Sequence, residues 1–130
     1  MTLIQSPSDE VLDRAAALLA EGKLIAIPTE TVYGLAANAW DRDAVAKIFA
    51  AKQRPANNPL IVHVASVDRI EEAAMMPLSP ELQQQLDCIV DFWPGPLTVV
   101  LPRANHISDW VTAGRHTVAV RIPSHPVALR

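Results

Sequence analysis

Cysteine is almost missing from this sequence: Cys88 is the single one in 130 residues. One thiol excludes a disulfide framework and any zinc site built on cysteine, and it suits a reducing compartment. Glycine is scarce, with four residues against eleven prolines, which excludes collagen-like and low-complexity classes. Four scattered glycines also leave neither a Walker A loop nor a glycine-rich dinucleotide fingerprint. Aromatic residues are 5% of the chain, few for a surface that stacks bases. There is no serine nucleophile elbow. His106, His116 and His125 are scattered, with no metal-ligand spacing between them. No apolar run approaches the length of a membrane span. Asp9, Glu10 and Asp13 stand where a secretory signal would carry bases, so a cytoplasmic protein is expected.

What is present suffices for a core. Half the residues are apolar and 19% are charged, in a chain of 14.1 kDa, which is the size of one domain over 1–130. The net charge of −3 argues against bulk nucleic-acid binding. Its distribution is uneven: residues 1–41 carry −4, 42–69 carry +3, 70–99 carry −5 and 100–130 carry +3. Two basic blocks between acidic ones are either solvated faces or parts of one anion site.

Hydrophobic periodicity predicts a helix over 7–21, with Pro7 at its first position and an apolar stripe of Val11, Leu12, Ala15, Leu18 and Leu19. Leu24–Ile27 reads as a buried strand and 28–35 as a polar loop. A helix capped by Asp41 or Asp43 runs to about Gln53, with Val45, Ile48, Phe49 and the stem of Lys52 inward. Leu60–Val64 is a second strand, followed by helices from Ser66 to before Pro77 and from Ser79 to Trp93. Leu97–Leu101 and Thr117–Ile122 are the last strands, and Ser124 with Pro126 opens a helix. This alternation predicts an α/β or α+β fold, a twisted mixed sheet flanked by helices. The final helix has barely begun at Arg130, and a domain incomplete at that end is expected.

Four places could carry chemistry. The loop Pro28-Thr29-Glu30-Thr31-Val32-Tyr33-Gly34 follows a strand, where ligands of open α/β sheets gather, although such a loop can also satisfy its own backbone. Lys52-Gln53-Arg54-Pro55 closes a helix; its cations either complement the helix end or turn into a cleft, with Asn57 and Asn58 beside them. His63 lies within an apolar strand and by alternation points away from Val62 and Val64, as a structural residue or as part of a site. Arg121 shares a strand face with Thr117 and Ala119, opposite Val118 and Val120. A buried arginine needs an anion, which is either Glu30 or a ligand carboxylate.

These segments together resemble the YrdC-like family. The resemblance rests on Pro28–Leu35, on Lys52–Pro55 with Asn58–Val64, on Trp93–Thr98 and on Val118–Pro123. It implies a twisted sheet with a concave basic cavity. It also implies a nucleotidyltransferase that joins L-threonine, bicarbonate or CO2, and ATP into threonylcarbamoyl-adenylate, releasing pyrophosphate. The product would serve t6A modification of tRNAs that read codons beginning with A. By this resemblance Lys52, Arg54, Asn58 and Thr117 match ATP-binding positions, and Thr31, His63 and Arg121 match L-threonine-binding ones. Mg2+ would accompany the ATP without protein ligands. No catalytic base is assigned.

Members often carry Gly where this chain has Ala36, and they continue into a Ser-x-Asn block that is expected beyond Arg130. The related hydrogenase-maturation carbamoyltransferases add cysteine-rich zinc motifs, which a single Cys cannot supply. The alternative is a YrdC-like module whose basic cavity binds RNA without synthase activity.

Overall fold

The computed structural model describes residues 3–130. Helix α1 is Asp9–Ala20, two residues shorter at its start than the periodicity predicts, because the Ser8 hydroxyl caps it by accepting from the Val11 N–H at 3.3 Å. Its predicted stripe is only half-buried, and no residue of α1 is fully buried. Strands β1 (Ile25–Pro28) and β2 (Tyr33–Ala36) form an antiparallel hairpin, with Pro28 opposite Tyr33. The sequence reading placed most of β2 in a polar loop. Gly34 and the exposed Tyr33 hide any alternation there, so the strand is specified by its partner rather than by its own pattern.

Helix α2 (Arg42–Lys52) is capped by Asp41, whose Oδ1 accepts from the Asp43 and Ala44 N–H groups. Ala44, Val45, Ile48 and Phe49 are its buried face, while Lys52 is exposed rather than laid along the core. The helix ends in a Schellman arrangement. Gln53 adopts φ 49°, its N–H reaches the Ala50 carbonyl, and the Arg54 N–H reaches the Phe49 carbonyl.

Strands β3 (Ile61–His63), β4 (Val99–Pro102) and β5 (Thr117–Arg121) make a second sheet with β5 in the middle. β3 runs parallel to β5, with Ile61 opposite Ala119 and His63 opposite Arg121; β4 runs antiparallel to it. The mixed sheet expected from the sequence is therefore three-stranded, beside a separate hairpin.

Between β3 and β4 the structure departs from the two helices predicted. Val67–Glu72 is a run of 3-10 turns, and the helix from Ser79 is α3 (Pro80–Asp87) followed by a single 3-10 turn at Val90–Phe92. The break lets the Trp93 side chain turn into the core, where its indole N–H donates to the Leu97 carbonyl at 2.7 Å. Two short helices complete the chain: α4 (Asp109–Thr112), which the sequence reading left in a loop, and α5 (Pro126–Leu129).

One sheet face is the core. Val62, Val64, Val118, Val120 and Leu101 point into it and meet Phe49 and Trp93. Burying each such side chain is worth about 1.5–3 kcal/mol. The other face stays open: His63 and Thr117 are exposed on it, and Ile61 and Val100 retain 46% and 60% of their surface.

Gly22 lies between α1 and β1 and packs against the start of α2. It has φ 71°, and a Cβ built there would lie 2.5 Å from Oδ2 of Asp41, the residue that caps α2. Its carbonyl accepts from Lys47 Nζ at 2.7 Å. Gly22→Ala is expected to cost about 1–3 kcal/mol, because left-handed strain adds to displacement of the capping carboxylate. Thermal unfolding followed by circular dichroism checks this; an unchanged midpoint would show that Asp41 moves aside freely.

Candidate functional site

The hairpin turn between β1 and β2 is built by Thr29. Its hydroxyl donates to the Val32 carbonyl at 2.6 Å and accepts from the Thr31 and Val32 N–H groups. The loop thus satisfies its own backbone with one side chain, to which the Thr31 hydroxyl also donates at 3.1 Å, and Glu30 and Thr31 stand at the tip. Both reach Arg121. Its Nη2 donates to Glu30 Oε1 at 2.6 Å and lies 3.4 Å from Thr31 Oγ1. The ion pair is well covered, with side-chain exposures of 10% for Arg121 and 16% for Glu30.

The third anchor of Arg121 comes from the Trp93-Pro94-Gly95-Pro96 turn. Arg121 Nε donates to the Gly95 carbonyl at 3.2 Å, and the Gly95 N–H donates to the Ile122 carbonyl at 2.8 Å. Only glycine fits there: a Cβ would sit 2.7 Å from the Phe92 carbonyl oxygen. Nε and Nη2 are thereby committed, and Nη1 has no hydrogen-bond partner among the described residues. Such a guanidinium is fixed in place and keeps one edge for a ligand.

His63 stands beside Arg121 through the parallel register. Its imidazole is held below the ordinary histidine value by loss of surrounding water and by the Arg121 charge, against the opposing pull of Glu30. It is therefore neutral at pH 7. For Glu30, burial pushes the carboxyl up. The Arg121 hydrogen bond and charge, with main-chain N–H groups of Glu30 and Ser124, outweigh this and hold it below the usual range.

Both shifts point the same way. A group with a depressed folded pKa contributes stability above its unfolded value and loses it as pH falls through the folded one. Stability should therefore decline in two windows, below about pH 6.5 for His63 and below about pH 4.5 for Glu30. Denaturant titrations across pH 3–8 check this, and Glu30→Gln should flatten the lower window and, by removing a charge that holds His63 up, deepen the upper one.

Thr31, His63 and Arg121 are thus brought together. Of the other four expected residues, Thr117 lies on β5, Lys52 ends α2, and Arg54 and Asn58 lie between α2 and β3. Arg54 Nη2 donates to the Pro59 carbonyl at 2.8 Å, just before β3, and its Nε is buried without a partner. Thr117 opens β5, and the register puts it at that same end. From Pro59 to His63 is four residues, roughly 13 Å of extended chain. Asn58 is exposed beside Arg54, its N–H bonded to the Pro55 carbonyl, and Lys52 is exposed at the end of α2. Sequence reasoning weighed Glu30 as a counter-ion and, with its loop, as a group that could orient a ligand, and it missed the part of Gly95, whose signal was a glycine between two prolines after a tryptophan. A cavity of about 250 Å³ lined by Ser66, Trp93, Pro94, Ile122 and Leu129 includes none of the seven expected residues. The covered Arg121–Glu30 pair lies at the edge of a sheet face that is otherwise open at His63 and Thr117.

No helix among the described residues is long and apolar enough to cross a membrane.

A three-stranded mixed sheet beside a hairpin, with a clamped guanidinium at its strand ends, defines an open-sheeted α/β domain. The Sua5/YciO/YrdC family model, described as "Telomere recombination", matches residues 17–130, and the chain belongs to that family. A threonylcarbamoyl-AMP synthase of Pyrococcus abyssi is 50% identical over 117 residues, covering 89% of this chain and 33% of the relative. One of Bacillus subtilis is 48% identical over 125 residues, covering 95% and 35%. The structure of P. abyssi Sua5 complexed with L-threonine superposes with a TM-score of 0.85 at 47% identity, covering 96% of this chain and 36% of that one. The chain thus spans about a third of the length of these relatives.

Proposed function

We propose that this domain takes part in making L-threonylcarbamoyl-adenylate from L-threonine, bicarbonate or CO2, and ATP, with release of pyrophosphate, for t6A modification of tRNA. The observation that carries this reading is Arg121, clamped at Nε and Nη2 with Nη1 left over, between Thr31 and a neutral His63. The likeness to synthases and to a threonine-bound Sua5 supports it.

Arg121 receives the amino-acid carboxylate, and Thr31 and His63 supply neutral hydrogen-bonding groups beside it. The threonine amine attacks CO2, or bicarbonate with loss of water, to give a carbamate. A carbamate oxygen then attacks the α-phosphorus of ATP, and the bond to pyrophosphate breaks. Two anions must meet for this, so Lys52 and Arg54, with Asn58 and Thr117, hold the nucleotide at the other end of β3 and β5 and screen its charge. The chain contributes positioning, and no covalent enzyme intermediate is needed. Mg2+ would enter with the ATP as part of the substrate and would help neutralise the triphosphate.

The test is incubation of the protein, expressed at its full coding length, with ATP, bicarbonate and labelled threonine. Threonine-dependent pyrophosphate release with a labelled adenylate is the expected result. RNA binding with no adenylate formed would favour the RNA-binding alternative.

A further inference from the structure

Glu30 has two carboxylate oxygens with different fates. Oε1 is bonded to Arg121, whereas Oε2 is buried and, although the main-chain N–H groups of Glu30 and Ser124 lie toward the carboxylate, makes no hydrogen bond among the described residues. An ionised carboxylate accepts about four hydrogen bonds, so a buried oxygen without a donor is an unmet demand. If Glu30 only steadied Arg121, one oxygen would do that work and the other could face water. Instead the hairpin carries the whole carboxylate into the place where Arg121, Thr31 and His63 meet.

The charge balance there has a second consequence. Arg121 and Glu30 cancel, and His63 is neutral, so the local net charge is near zero. A ligand bearing only a carboxylate would make it negative. A ligand bearing a carboxylate and an ammonium one carbon apart would keep it balanced. The terminal torsion of a glutamate is broad, so a small turn brings Oε2 to a donor arriving with the ligand.

We propose that Glu30 is a specificity-determining residue: Arg121 takes the ligand's carboxylate, and Glu30, through its unpartnered oxygen, takes the α-ammonium, so that the site selects an amino acid over the same molecule without its amine. This rests on the amino-acid reading of the site given above. It adds a residue to that reading, and it gives the Arg121–Glu30 pair a task beyond stability.

The experiment compares two ligands on two proteins at full coding length, by titration calorimetry at pH 7. The ligands are L-threonine and 3-hydroxybutyrate, which keeps the carboxylate and the hydroxyl but lacks the amine. The proteins are wild type and Glu30→Gln, with folding checked by circular dichroism. Wild type is expected to prefer threonine by about tenfold or more, the scale of a charge-assisted hydrogen bond. Glu30→Gln should lose that preference while binding 3-hydroxybutyrate within about threefold of wild type, since glutamine keeps an acceptor for Arg121.

Equal weakening of both ligands by Glu30→Gln would overturn the proposal and reduce Glu30 to a support for Arg121. Equal binding of both ligands by wild type would overturn it without any variant, so a poorly folding Glu30→Gln leaves it decidable. Binding of neither ligand by wild type would remove the amino-acid reading itself, and the inference with it.

Discussion

Replacing Arg121 with alanine is expected to raise the threonine requirement of adenylate formation by about 100-fold or more, while the ATP requirement moves by less than about threefold. The first figure follows from losing a charged donor to a carboxylate in a covered site, about 3 kcal/mol, at 1.4 kcal/mol per factor of ten. The second follows from distance, because Arg54 and Thr117 lie at the other end of the strands. The variant should also be less stable. Glu30 would keep its place at the hairpin tip with its counter-ion gone, and removing one partner of a covered pair costs about 3–5 kcal/mol when the other stays charged. Glu30 is therefore expected to titrate at higher pH in this variant.

Arg121→Lys separates the two effects. An ammonium keeps the charge near Glu30, which restores stability, but it cannot serve Gly95, Glu30 and a ligand from three edges at once. Threonine use should stay low in a protein that folds well. Equal loss for threonine and ATP in Arg121→Ala would instead make this residue a purely structural cation. Steady-state kinetics with each substrate varied in turn read the split.

Much of this site was legible before any coordinates. A positive charge near the end of an otherwise apolar strand is anomalous by itself, and Arg121 stood out for that reason. His63 did so as well, because period-two alternation put it opposite Val62 and Val64, and the structure leaves it exposed while they are buried. Helix α2 was legible through its cap and its two following prolines. Which strand ends meet was not. β5 lies between β3 and β4, parallel to one and antiparallel to the other, and nothing local in Thr117–Arg121 encodes either neighbour.

The unread elements share a physical reason. β2 has four residues, one of them glycine and one an exposed tyrosine, and α4 is a single turn held by the Ser108 hydroxyl. Such segments are too short to show a period, and they form because a neighbour stabilises them. The convergence of Glu30, Gly95 and Arg121 depends on three such contacts between distant segments. That is why Glu30 could be named as one of two possible anions for Arg121 without a choice between them, and why Gly95 was read only as part of the Trp93–Thr98 segment.

The second large effect is expected at the other end of the strands. Lys52→Ala should weaken ATP use by about tenfold, and Lys52→Ala with Arg54→Ala by about 100-fold, with the threonine requirement nearly unchanged. A triphosphate concentrates several negative charges, and each cation removed takes away a charge-assisted contact worth about 1.5–3 kcal/mol when it is shielded from water. The two positions differ in character. Lys52 is exposed at the helix end, so its loss should leave stability within about 0.5 kcal/mol of wild type. Its contribution should shrink in high salt.

Arg54 is half-buried, bonded to the Pro59 carbonyl, and carries an Nε with no partner. Its loss frees the chain just before β3, and the effect on ATP should persist in salt that mutes Lys52. Measuring the ATP requirement of each variant at low and high ionic strength therefore distinguishes a steering charge from a fixed contact. If neither variant changes the kinetics at any salt concentration, the helix end does not touch the nucleotide. Its cations then do no more than complement the carbonyls that close α2.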